Sequence, residues 1–349
     1  MLGVTVLASA PGTIAFDLRN CPDWRFIAEH RYAAAILSAR AKDCGAADSL
    51  RARGLRVGYH IQPWLPAWDG AAETTFTLDR TLYRLTSSEA AWLRDSTGKV
   101  PLVHEPGITG LPYDYSQLDF ARRFGQALAA FDPAADFWYF DYGDMKSGIP
   151  WVVSLRRVAS DRWPRWAEGY RLVAERARGE RVCFYGKGDD FLCPECDVYP
   201  FEGVGDEPGD LYGYARTLAM CRAAEREGKA GLIFCQKAQA RHRRVLAAIA
   251  LLTGAWFNWR DFAAPGGFDK NLPDPEHFEL ELGAPSDTMR QVAPGVWRRA
   301  YQRGFVIANL GEVPYRLSDA VMVAPLDGLA AQTRDASGRK ARWLTNQAK

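Results

Sequence analysis

No window of this 349-residue chain reaches 18 uninterrupted apolar residues, so the sequence offers no candidate membrane-spanning helix. An excess of either charge is also missing. Lys and Arg total 44 against 42 Asp and Glu, and the resulting net charge of +2 gives no pull toward nucleic acid or an anionic membrane surface. The basic run Arg241-His242-Arg243-Arg244 reads as the polar face of a helix. Histidine is scarce, and its five copies are scattered, which is a poor basis for a metal-dependent hydrolase. The seven cysteines are odd in number and widely spread, which argues against a disulfide framework. Cys193-Pro194-Glu195-Cys196 is a lone CxxC with no second CxxC or His pair to complete four zinc ligands, so a structural loop is expected there. Residues 1–10 are apolar but lack a basic n-region and read as a leading strand. The expectation is no metal, no cofactor, and neither nucleic acid nor membrane as partner. Synthesis in the cytoplasm is implied, and the final compartment is left open.

Aromatic side chains are what the sequence has in excess. Twelve tryptophans are present, and Trp64, Trp68, Trp138, Trp256 and Trp259 flank expected strand ends. Indole offers a flat apolar face and one N–H donor, which suits the apolar face of a pyranose ring. Core packing is the competing role for each of them.

Strand-like runs at 13–18, 33–38, 55–62, 136–141, 181–186, 197–202, 230–236 and 252–259 alternate with helical segments at 24–30, 46–53, 116–131, 152–178, 210–227 and 238–251. Such alternation implies right-handed βαβ units and a parallel sheet. Repeated over about 260 residues, it fits a (β/α)8 TIM barrel better than an open sheet. No Gly-rich phosphate loop follows the first strand, which counts against a Rossmann fold. An insertion at 63–118 shows little periodicity and should shape a cleft at the barrel mouth. After about residue 285 the pattern changes to short strand-like runs at 296–300, 304–309, 315–317, 320–323 and 341–344. The expected organisation is therefore a barrel over 1–285 and a small antiparallel, sandwich-like β-domain over 286–349.

Trp138-Tyr139-Phe140-Asp141-Tyr142-Gly143-Asp144 is the most informative stretch. A bulky apolar run leads into two acids three positions apart, and Asp141 falls at a strand's C-terminal tip, where barrels place their chemistry. Glu202 ends another strand in the same way. Glycoside hydrolysis needs two carboxyl groups flanking one bond, one donating a proton and the other attacking or activating water. Asp141 is the expected nucleophile or base, and Glu202 the expected general acid. Alternatives are an Asx turn to Gly143 for Asp141 and a salt bridge with a loop Arg or Lys for Glu202.

Asp144 is placed to bind sugar hydroxyls, to orient Asp141, or to cap a helix. Asp17, Gln62, Trp64, Tyr185, Lys187, Gln236, Trp256 and Asn258 lie near other strand ends and are candidate sugar ligands. His60 shares a face with Gln62 and is a further candidate; a satisfied core or supporting histidine is its competing role. Polar groups at so many strand ends would be costly if buried unpaired, which favours a polar ligand at that face.

The stretch from Trp138 to Asp144, Tyr199-Pro200-Phe201-Glu202, Leu251-Leu252-Thr253-Gly254-Ala255-Trp256-Phe257, and the run from Trp297 to Asn309 together resemble the hypothetical glycosyl-hydrolase-like fifteen group. These four motifs occur in the family's order and span most of the chain from about residue 13. Two departures stand out: Tyr142-Gly143 replaces a polar pair, and Lys187-Gly188 stands where Asn-Gly is more usual. The resemblance implies a TIM barrel with a small C-terminal β-domain and glycosidase activity. An acid pair on the fourth and sixth barrel strands is also what α-galactosidase-like barrels use.

Two readings follow. One is a glycoside hydrolase acting on a polysaccharide or oligosaccharide. The other is a non-catalytic carbohydrate-binding or structural protein on the same barrel, such as a phage tail or virion component, with the β-domain docking a protein partner or a second copy. An aldolase would want a strand-borne lysine, and Lys237 is the near match.

Overall fold

A computed structural model describes residues 12–19, 21–30, 32–62, 64–67, 82, 85, 91–105, 108–141, 150–185, 196–202, 204–205, 213–235, 240–259, 280–318 and 321–332. The barrel strands are β1 (Ile14–Asp17), β2 (Ala34–Leu37), β3 (Arg56–Ile61), β7 (Phe137–Phe140), β8 (Val182–Tyr185), β9 (Val198–Phe201), β10 (Ala230–Cys235) and β11 (Trp256–Trp259). They form one eight-stranded sheet in the order β1-β2-β3-β7-β8-β9-β10-β11. A parallel bridge from Thr13 to Phe257 links the first and last strands. The fold is a nearly closed TIM barrel followed by antiparallel β-sheets. By compactness the chain forms two units, one of 17–28 and 35–199 and the other of 1–16, 29–34 and 200–349.

In the first unit, β3 and β7 pair in parallel with His60 opposite Tyr139 and Ile61 opposite Phe140. The period of two sends Phe137 and Tyr139 to one face and Trp138 and Phe140 to the other. Every residue of β7 is buried, as a strand covered on both faces must be. Gly58 is required here by close approach, because a Cβ at that position would lie 2.1 Å from the Phe137 ring. On the helix side, Tyr59 meets Phe131 and Trp138, with ring centroids 5.2 and 5.7 Å away. The helices α3 (Leu118–Phe131) and α5 (Trp163–Arg178) bury matching stripes. Gly125 lets them approach, since a Cβ there would lie 2.6 Å from the Cβ of Arg176.

The single helix expected over 152–178 is interrupted. It runs as α4 (Pro150–Ala159), a 3-10 turn (Ser160–Arg162) and α5, with Ser160 at φ 47° and Pro164 just inside α5, where its missing N–H costs nothing. The insertion carries more order than its sequence suggests. β4 (Trp64–Ala67), β5 (Val103–Glu105) and β6 (Ile108–Pro112) form an antiparallel sheet in the order β4-β6-β5. Two cysteines depart from the expectation of no disulfide framework: Cys21 and Cys44 form a disulfide with Cα atoms 5.9 Å apart. Cys183, Cys196, Cys221 and Cys235 are buried.

In the second unit, α6 (Tyr214–Arg226) and α7 (Ala240–Thr253) flank β10 and β11. The last barrel strand begins at Trp256, because Leu252 and Thr253 still belong to α7 and Gly254, at φ 70°, ends that helix. The C-terminal sheet has the order β12-β13-β14-β17, from β12 (Arg290–Ala293), β13 (Val296–Tyr301), β14 (Gly304–Asn309) and β17 (Asp327–Gln332). A hairpin of β15 (Tyr315–Ser318) and β16 (Val321–Val323) accompanies it. The sheet packs on α7. Arg244 clasps Asp327 through two bonds of 2.9 and 3.1 Å, and a Cβ on Gly328 would lie 2.5 Å from Arg244 O. The Tyr301 hydroxyl donates to Leu251 O at 2.5 Å, and Arg299 to Leu252 O at 2.8 Å. The run expected at 341–344 lies outside the described residues.

Candidate active site

Asp141 follows the last residue of β7, and its N–H donates to Ile61 O at 2.9 Å. That bond extends the β3–β7 pairing by one position and puts the carboxylate at the tip. The side chain continues the face of Phe137 and Tyr139. On the neighbouring strand His60 points to the same face. Its Nε2 lies 3.2 Å from Asp141 Oδ2, and its ring stacks on Tyr139 with centroids 5.3 Å apart. Both groups are enclosed: His60 is 1 % exposed and Asp141 7 %. A buried carboxylate needs hydrogen-bond donors to remain charged, and an imidazole N–H is one.

Tyr170, from α5, braces the backbone of both tips. Its hydroxyl donates to Asp141 O at 2.8 Å and lies 3.4 Å from Ile61 O. The sequence reading missed this residue. Its signal is modest: one polar tip in the buried stripe Trp166, Tyr170, Val173, Ala177.

Gln62, two positions beyond His60, is 8 % exposed at the end of β3. Asp17, at the end of β1, is 1 % exposed and is held by Arg19. The guanidinium donates to both carboxylate oxygens, with bonds of 2.9 Å from Nε and 2.5 Å from Nη2, and the Arg19 N–H adds a third at 3.1 Å. Arg19 therefore fixes the orientation of Asp17, a partner the sequence reading did not name.

The other unit carries Glu202, Asn258 and Trp256. Glu202 follows buried Phe201 at the end of β9 and is partly exposed. The Asn258 amide donates to Ile14 O at 2.7 Å, so this buried residue ties the last barrel strand to the first. Trp256 is buried in the core, where a Cβ on Gly12 would lie 3.1 Å from its ring. Arg243 lies over the Trp259 ring at 4.1 Å. The placement of Trp256 and Asn258 is that of packing and strand-closing groups.

Asp144, Lys187 and Gln236 lie outside the described residues, as do the side chains of Trp64 and Tyr185, whose backbones belong to β4 and β8. Among the described residues, no group of three or more His, Cys, Asp or Glu is arranged to hold a metal ion.

No protein-family model matches this chain, and no curated protein matches it in sequence. Solved structures do match its fold. The glycoside hydrolase domain of PelA from Pseudomonas aeruginosa aligns at TM-score 0.50 and 13 % identity, over 76 % of this chain and 100 % of that one. An alpha-amylase from Lactobacillus plantarum aligns at 0.52 and 9 %, over 89 % and 90 %. A GH31 family sulfoquinovosidase from E. rectale aligns at 0.50 and 12 %, over 80 % of this chain and 47 % of that one. The barrel is glycosidase-like. At these identities the likeness concerns the fold.

Proposed function

We propose that this protein is a glycoside hydrolase acting on a polysaccharide or oligosaccharide, with Asp141 as nucleophile or base and Glu202 as general acid. The observation that carries the reading is Asp141 itself: a buried carboxylate at the C-terminal tip of β7, held by His60, in a glycosidase-like barrel. Pairing Asp141 with Glu202 rests on the sequence pattern, which puts one acid at the end of the fourth expected strand and the other at the end of the sixth. Either a retaining or an inverting course is compatible with two such acids, the carboxylate separation deciding between them. The motifs that resemble those of the hypothetical glycosyl-hydrolase-like fifteen group fit this assignment, as does a division into a barrel over 1–285 and a β-domain over 286–349.

The substrate-binding role falls to Gln62 and Asp17 among the described candidates, and to Trp64, Asp144, Tyr185, Lys187 and Gln236 as groups expected at other strand ends. The test is release of reducing sugar from a panel of surface glycans by the wild type and by Asp141→Ala and Glu202→Ala. Release by the wild type and its loss in both folded variants is expected. Glycan binding without release by the wild type would instead support the non-catalytic carbohydrate-binding reading.

A further inference from the structure

We propose that His60 is a positioning residue for Asp141 and that its imidazole, donating to Oδ2, holds the carboxylate in place. This inference rests on the reading of Asp141 as nucleophile or base. The sequence alone made His60 a candidate sugar ligand; the structure buries it, 1 % exposed, beside Asp141. What it does offer is Nε2, 3.2 Å from Asp141 Oδ2.

Its geometry is fixed from two sides. Tyr139, its register partner on β7, stacks beneath the imidazole at an interplanar angle of 22° and sets the plane of the ring. The Tyr170 hydroxyl and the Asp141 N–H then hold the backbones of the two strand tips together. With both backbones and the imidazole plane fixed, the bond to Oδ2 leaves rotation of the Asp141 carboxylate little freedom. A donor on Oδ2 also favours the charged form of the carboxylate. The titratable groups meeting the His60 ring include Tyr139 on β7 and Asp141 just after it.

The experiment compares wild type with His60→Gln, which keeps an N–H donor at similar reach, and His60→Phe, which keeps a ring for Tyr139 but has no donor. Carbon-13 NMR of the Asp141 carboxyl, assigned by its loss in Asp141→Asn, follows its titration in each protein. The midpoint is expected to rise by about one pH unit in His60→Phe and to stay near wild type in His60→Gln. If a glycan is cleaved, kcat should fall about 100-fold in His60→Phe with KM little changed, and His60→Gln should recover most of it. Should His60→Phe not fold, His60→Leu takes its place. An unmoved midpoint, equal shifts in the donor-bearing and donor-free variants, or a change confined to KM would each overturn the proposal. Absence of any sugar release by the wild type would count against the hydrolase reading, and the NMR midpoints would still decide the role of His60.

Discussion

Tyr59 and His60 are neighbours on one strand and each holds a buried aspartate, but those aspartates stand at opposite ends of β7. Tyr59 points to the helix side. Its hydroxyl donates to Asp132 at 2.5 Å, beside a bond of 2.6 Å from Arg51 and one of 3.1 Å from the Ala134 N–H. Burial works against the charge on Asp132, but these donors outweigh it and hold its carboxyl below the usual range. His60 points to the other face and meets Asp141 beyond the strand's C-terminal end. The difference lies in what surrounds each acid. A carboxylate bonded by a guanidinium and a phenol before a strand serves the fold. The carboxylate beside an imidazole at the strand's tip is the one we propose for the chemistry. In a barrel the two ends divide these duties, and adjacent residues on one strand can serve both.

The comparison breaks most readily at Asp141. Asp141→Asn should lower turnover about 1000-fold or more while the thermal midpoint moves by only a few degrees. A calorimetric scan run beside the assay checks both, and a collapse of stability with the loss of activity would make Asp141 a structural acid like Asp132. The converse substitution, Asp132→Ala, removes the acceptor of the Tyr59 hydroxyl and leaves Arg51 only its bond to exposed Asp48; it should cost about 4 kcal/mol in urea unfolding. Activity per folded molecule should be unchanged, and a specific loss of kcat would erase the division between the two ends.

A smaller effect is expected where the loop after β1 is stapled. Replacing both Cys21 and Cys44 by Ser removes a bridge closing a 23-residue separation and should cost about 3 kcal/mol. Equal unfolding midpoints with and without reductant in the wild type would contradict this. The finest test uses pH. The folded-state value of Asp132 is depressed, so its contribution is present above the unfolded value of about 4 and is lost as pH falls through the folded value. The stability gap between wild type and Asp132→Asn should therefore shrink on acidification below about pH 4. A gap independent of pH would show that the Asp132 charge is not what stabilises.

The barrel strands were legible because a run such as Phe137 to Phe140 has no polar face, and few structures other than a strand covered on both sides accommodate it. The C-terminal hairpin of β13 and β14 was legible as two short strand-like runs with a turn between them. β17 was not, because Asp327-Gly328-Leu329-Ala330-Ala331-Gln332 lacks β-branched residues. It forms a strand because β14 supplies its ladder and Gly328 fits against Arg244 on α7. Strand alternation gave the direction of His60, but its bond to Asp141 spans 81 positions and is set by the β3–β7 register. Likewise no spacing rule pairs Cys21 with Cys44, whose approach depends on where the loop after β1 meets the segment before α2 (Ala46–Arg51). Trp256 shows the opposite error of emphasis: a tryptophan near a strand end invites a sugar-stacking role, whereas the packing around Gly12 gives it a core position.

The most direct test of the paired-acid mechanism varies the leaving group. Once a cleaved linkage is known, the matching aryl glycosides with strongly acidic phenols are assayed with Glu202→Ala and Asp141→Ala. A phenolate that departs without a proton makes the general acid dispensable. In the first turnover Glu202→Ala should release phenol from these substrates at close to the wild-type rate while failing on the natural glycan, and Asp141→Ala should fail on both. Equal loss on both substrate types in Glu202→Ala, or retained turnover in Asp141→Ala, would contradict it.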